Sequence, residues 1–275
     1  MKFNLINKLL FWIFLFFLVD SIVFQIVSNW KLYSIPFNHQ AISKVYNHSQ
    51  FAPKPEDRRV IIEDYDLFAY SGYLYLKGQT PADIQIEHPP LAKYFFGLSI
   101  LLFSNPNVIQ IFFGIGTLFL IFLISNRILR NKTLALVPPF LFSFDGIFKE
   151  QLALSYLDLP HLFFICLALF FYFKAEKTRN YYYLAVIFLG AVIMTKYMGF
   201  AIIPLLLVYT FVKRKKDFNF FLLLTSIAIP SIYLANYISL FFKDNILSNF
   251  INLHLAIFHL LKFAIEFLKS KIIKI

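Results

Sequence analysis

The chain reads as an all-α polytopic membrane protein of about seven or eight spans, with one long polar loop after the first. Three observations predict this. Of 275 residues, 59% are hydrophobic and 37 are Phe, more apolar surface than a soluble core of this size can hide. Apolar runs of near-membrane length recur from residue 8 to the end. The net charge of +11 is gathered in short clusters between those runs, a topological pattern and not a nucleic-acid footprint. The one cysteine, Cys166, lies inside an apolar run, so there is no disulfide framework.

The elements follow in order. Met1 to Lys8 is basic and is placed in the cytoplasm. Leu9–Val27 is too long for a signal peptide and has no small-residue cleavage site, so it is an uncleaved first span. Asp20 inside it is expected to face the bundle. The loop 28–107 is polar and acidic, with Pro53, Pro55, Glu56, Asp57, Glu63, Asp64, Asp66, Asp83 and Glu87. A loop that long usually carries function. Leu91–Phe103 is apolar but only about 20 Å long as a helix, short of a hydrocarbon core of roughly 30 Å. If it crossed, the clusters Arg127/Arg130/Lys132, Lys174/Lys177/Arg179 and Lys213–Lys216 would all fall outside. If it lies flat, all fall inside, which the positive-inside bias favours. It is therefore a juxtamembrane helix, broken from the next by Ser104-Asn105-Pro106-Asn107.

Val108–Ile128, Leu134–Phe148 and Leu159–Phe173 are the next spans. Residues 181–212 would make one helix about 48 Å long with Lys196 buried at its centre. A hairpin with Thr195–Gly199 at its outer tip avoids that cost. Phe218–Phe241 is the seventh span. Asn249–Ile275, with His254, His259 and Lys262, is an eighth span or an interfacial helix. The organisation is thus a transmembrane core, 1–245, and a C-terminal helix, 246–275.

The segment Glu87-His88-Pro89-Pro90-Leu91-Ala92-Lys93 is the most informative. Paired prolines stop any preceding helix and start a new one, leaving an acid and a histidine at its mouth and a lysine one turn in. The plain alternative is a helix start with solvated flanks. The topology adds Asp64, Asp66, Asp145, Lys149, Glu150, Asp158, His161 and Lys196 to the same outer face. Ionisable groups at helix mouths are costly unless paired, which marks the group as functional.

These blocks resemble the protein O-mannosyltransferase and aminoarabinose-transferase-like group of GT-C glycosyltransferases. Asp64-Tyr65-Asp66 with Gly78 is similar to the family's Asp-Glu block in its first outer loop. Glu87–Lys93 closely matches its His-Pro-Pro-Leu-Gly-Lys block. Asp145, Leu157-Asp158-Leu159-Pro160 and Thr195-Lys196-Tyr197 are similar to its Asp, Leu-Asp-Ile-Pro and Thr-Lys-Trp pattern. The likeness covers about residues 1–245. It departs at Tyr65, where the family has a second acid, and at Ala153, where it often has Arg. The chain also ends soon after the core.

The resemblance implies a GT-C core whose long first outer loop carries juxtamembrane helices, and an inverting sugar transfer. The donor is a polyprenyl-phosphate-linked hexose such as mannose, and the acceptor a hydroxyl on a protein, glycan or lipid. Asp64, with Asp66 as the alternative, is the catalytic carboxylate. Lys93 and Lys196 neutralise the leaving phosphate and His88 donates to it. Glu87, Asp145 and Asp158 support them. A divalent ion, Mg or Mn, held by Asp64 and Asp158 is the alternative to the lysines. The expected setting is a prokaryotic cell membrane, N-terminus cytoplasmic and active site extracytoplasmic, with membrane lipids and a homo- or hetero-oligomeric partner around it. The competing readings are a truncated, non-catalytic partner of a full-length relative and a small-solute transporter. The second suffers because no repeat is visible and the charge gathers at one face.

Overall fold

A computed structural model describes residues 2–51, 60–85 and 87–237. The acids Glu56 and Asp57, the prolines Pro53 and Pro55, and all of 246–275, where a C-terminal helix with His254 and His259 was expected, lie outside the described residues, as do the last residues of the expected Phe218–Phe241 span. Among the described residues the protein is all helical: α1 Lys2–Ser28, α2 Trp30–Ser34, α3 His39–Asn47, α4 Asp64–Leu76, α5 Pro81–Ile84, α6 Leu91–Phe103, α7 Val108–Leu129, α8 Lys132–Ala135, α9 Val137–Ser143, α10 Gly146–Ala153, α11 Asp158–Lys174, α12 Tyr181–Thr195, a 3-10 turn Tyr197–Ala201, α13 Ile202–Lys213 and α14 Lys215–Asn236.

Two ends of the molecule are defined by side-chain contacts. At the first, the Glu176 carboxylate bonds both Arg127 and Arg214. Arg179 pairs with Asp217 at 3.6 Å. Thr133 Oγ1 donates to Asn7 O at 2.9 Å. The start of α1, the ends of α7, α11 and α13, and the starts of α8 and α14 therefore meet at one basic end. All three clusters that the charge pattern assigned to one side do lie together.

The opposite end carries the 28–107 loop. The short helix α2 follows α1, and Asn105 Nδ2 donates to Leu32 O at 2.9 Å and Ile35 O at 2.7 Å. Phe37 N donates to Ser104 O at 2.8 Å. The C-terminus of α6 is thereby tied beside the end of α1. Its N-terminus sits near Asp158 and Lys196, as described below. Both ends of α6 lie at the loop end, so it runs across that face, as its length predicts. Ser104 closes it in the left-handed region, φ 58°.

Against α6 packs α4, and the two backbones touch. A Cβ on Gly72 would stand 2.7 Å from Gly97 N. This glycine pair is what lets the acid-bearing helix of the loop dock on the helix that follows the paired prolines.

Among the described residues three helices are long and apolar enough to cross a membrane: α1 (Leu5–Ser28), α7 and α14 (Lys215–Ala235). The bent pair α10 and α11, at 107°, adds a fourth if it is one span. Several expectations change here. The Leu134–Phe148 span is three pieces, because Pro138 and Pro139 start α9 and Asp145 starts α10 from an extended backbone. Lys132–Ser143 is apolar but short. Asp20 is exposed on α1 and does not face the bundle. The break at Lys196 is present as expected, between α12 and the 3-10 turn that opens α13. The core is largely aromatic and aliphatic, with one cluster around Tyr172, Tyr182 and Phe221 and another around Phe113, Phe148 and Phe164.

Candidate active site

The site is built at the loop end from four breaks in helix. The first is the corner made by Gln85 and residues 87–90. Its anchor is Lys93, fully buried on the first turn of α6. The ammonium donates to Gln85 O at 3.1 Å, to His88 O at 2.7 Å and to Gln85 Oε1. An ammonium has three donors, and all three are used. Burial drives its pKa far down, with the charge of Glu87 partly opposing. Lys93 was expected to reach a phosphate. The structure instead puts it beneath the corner, where it fixes the backbone that presents Glu87 and His88.

His88 is held against Phe68 of α4, ring centroids 5.6 Å apart. Burial pushes its pKa down to about 4, and the charges of Lys93 and Lys196 add to this while Asp158 opposes. At neutral pH the imidazole is uncharged, so it can donate through only one nitrogen. A histidine whose folded pKa lies below its unfolded value binds fewer protons in the native state. Stability should therefore be full above about pH 6.5 and fall as pH drops towards about 4. Thermal unfolding across that window should show the loss, and His88→Gln should flatten it.

The second and third breaks meet. Asp158 opens α11, Lys196 ends α12, and their side chains form an ion pair. Gln151 Nε2 donates to the other Asp158 oxygen at 3.3 Å. Both charged groups act on His88, so Lys196, Asp158 and His88 share one mouth. His161, one turn into α11, is fixed by Val192 O at 3.1 Å from Nδ1. Gly199 lies under that ring; a Cβ there would stand 3.1 Å from His161 Cε1. The hairpin 154–157 below is clamped by Gln110 Nε2, which donates at 2.8 Å to Leu154 O and Tyr156 O.

The fourth is the start of α4. Asp64 is exposed and close enough to Glu87 to raise its pKa, although burial is the larger cause and Lys93 opposes both. Asp66, two residues on, points elsewhere on the helix. Burial raises its pKa, and its charged neighbour is Glu63. The structure thus joins Asp64, Glu87, His88, Asp158 and Lys196, leaves Asp66 beside them, and sinks Lys93.

Asp145 differs. Its Oδ1 accepts from Phe148 N at 2.9 Å and caps α10, a sufficient structural role. Among the described residues no contact joins it to the others. The donors do not form a ready cage for a divalent ion. Asp158 is committed to Lys196 and Gln151, and no group of three or more His, Cys, Asp or Glu gathers among the described residues. Sequence reasoning missed Gln85, Gln151 and Gln110, and the Gly72–Gly97 crossing. The glutamines carry no motif. Gly72 and Gly97, both inside helix-like apolar stretches, were the one readable signal, since interior glycine usually marks a close approach.

Together these features define an all-helical integral membrane protein with a cluster of acids, histidine and lysine at one end. Residues 87–238, more than half of the chain, match the family model for dolichyl-phosphate-mannose-protein mannosyltransferase, and the chain belongs to that family. This places it with the GT-C type of membrane glycosyltransferases. The match opens at Glu87, so Asp64 and Asp66 lie outside it. No curated protein and no solved structure matches the chain.

Proposed function

We propose that the protein transfers a hexose, mannose by preference, from a polyprenyl-phosphate donor to an acceptor hydroxyl, with inversion, on the extracytoplasmic face of a cell membrane. The observation that carries this is the convergence of Asp64 and Glu87 with His88, Asp158 and Lys196 on one face of a family member. The seven passes between the two ends, α1, α7, α8 to α10, α11, α12, α13 and α14, are read as membrane spans. The basic end is read as cytoplasmic because three basic clusters meet there.

In this reading Asp64 is the general base. It lies on the Glu87 side of α4, whereas Asp66 has Glu63 for its neighbour. As the acceptor oxygen attacks the anomeric carbon, Asp64 takes its proton and the sugar–phosphate bond breaks. Charge builds on the leaving lipid phosphate. Lys196, oriented by Asp158, neutralises it, and neutral His88 donates a hydrogen bond. Lys93 acts indirectly by holding the corner.

The test is transfer of radiolabelled mannose from polyprenyl phosphate by membranes containing the chain. Asp64→Asn should lower transfer by about 10²–10⁴-fold at unchanged protein level, with Asp66→Asn much milder. The reverse order of the two variants would move the base to Asp66. No transfer from several donors, with or without added Mg or Mn, would favour a non-catalytic partner of a larger enzyme.

A further inference from the structure

The basic end holds a cavity of about 630 Å³ that the chemistry above does not use. It is lined by Glu176, Tyr209, Val212 and the run Lys213-Arg214-Lys215-Lys216-Asp217. Its two acids are already paired. Glu176 bonds Arg127 and Arg214, and Asp217 pairs with Arg179. Arg214 is likewise committed, packing its guanidinium 4.7 Å from the Tyr172 ring centroid. Lys213, Lys215 and Lys216 are all exposed, and among the described residues none of the three has an ion-pair partner. No side chain caps the start of α14, so the positive end of its dipole adds to the same place.

An apolar track leads into the cavity. Leu205, Val208, Tyr209 and Val212 are 69%, 62%, 42% and 58% exposed. Their spacing puts them on one stripe of α13, and the last two form part of the cavity wall. A free phosphate would need the lysines but not the stripe. A phospholipid would use both.

We propose that this cavity seats the phosphodiester headgroup of an anionic phospholipid, with its acyl chains along the exposed stripe of α13. Glu176 and Asp217 act as braces, holding α7, α11, α13 and α14 in register so that the three lysines converge. Occupancy would tie α13 to α14 and so steady the hairpin whose far end carries Lys196. The proposal rests on the basic cavity and not on the glycosyltransferase reading, so its test reads binding and not activity.

The full chain would be placed in nanodiscs of neutral phosphatidylcholine with a minor share of phosphatidylglycerol, released, and examined by native mass spectrometry. Phosphatidylglycerol should be retained over phosphatidylcholine, and Lys213→Gln/Lys215→Gln/Lys216→Gln should cut that retention by about tenfold or more. Retention should also weaken with salt. A control variant, Arg130→Gln/Lys132→Gln, removes charge from the same end outside the cavity and should retain the lipid. Equal loss in the control would overturn the site in favour of bulk charge. Unchanged retention in the triple variant would overturn it outright. Protection against thermal unfolding by inorganic phosphate as strong as that by the lipid would overturn the lipid assignment.

Discussion

Replacing Lys196 with Met is expected to lower sugar transfer by about 10²–10³-fold while leaving the folded protein nearly as stable as before. The two halves of this expectation have separate physical grounds. The Lys196 and Asp158 side chains are 23% and 51% exposed. An ion pair that open to solvent contributes about 0–1 kcal/mol, so its removal costs little structure. Lys196 also sits in extended backbone between α12 and the 3-10 turn, so no helix depends on it. Among the described residues the ammonium is nevertheless the one near His88 and Asp158 that is not consumed by backbone carbonyls, unlike that of Lys93. Charge that develops on a leaving phosphate needs such a group, and removing a donor of this kind costs several kcal/mol in the transition state only. Lys196→Arg should keep part of the activity. Initial rates and thermal unfolding of the same preparations check both halves. A Lys196→Met protein that transfers normally would remove lysine from the mechanism and return the phosphate to another cation.

The second large effect is structural. Gly97→Val should destabilise the protein by about 3 kcal/mol or more and abolish transfer with it. A Cβ at 97 would overlap Gly72 O and stand 2.9 Å from Gly72 C and 3.2 Å from Leu76 Cγ. Backbone cannot yield as the end of a flexible side chain can, so α4 and α6 must separate. That separation would carry Asp64 away from Glu87 and expose the Lys93 ammonium and its carbonyl partners. Gly146→Ala is the matched control, since nothing lies within 4 Å of a Cβ there. Thermal unfolding in detergent should resolve the pair. Equal melting of Gly97→Val and wild type would show that the two helices are not locked by this crossing.

Much of the fold was legible because it depends on local rules. The ends of α6 fall at Leu91 and Phe103, as paired prolines and the Ser104–Asn107 break dictate. The break at Lys196 follows from the cost of a cation in the middle of an apolar helix. The gathering of three basic clusters at one end follows from charge bias along the chain. The Leu134–Phe148 stretch was read as one continuous helix because hydropathy averages over Pro138 and Pro139, which together open α9, and over Asp145, which caps α10.

What the sequence determined by itself was the class, the boundaries of α6, the break at Lys196 and the gathering of the basic clusters at one end. Only tertiary structure decided what each of those residues does. Lys93 and Lys196 look alike in a string, yet one is walled in by Gln85 and His88 and the other meets an aspartate 38 residues away. Asp64 and Asp66 are separated by half a helical turn, which only the position of Glu87 converts into different roles. Helix boundaries are set by neighbours a few residues apart, whereas the environment of a charge is set by whatever the fold brings next to it.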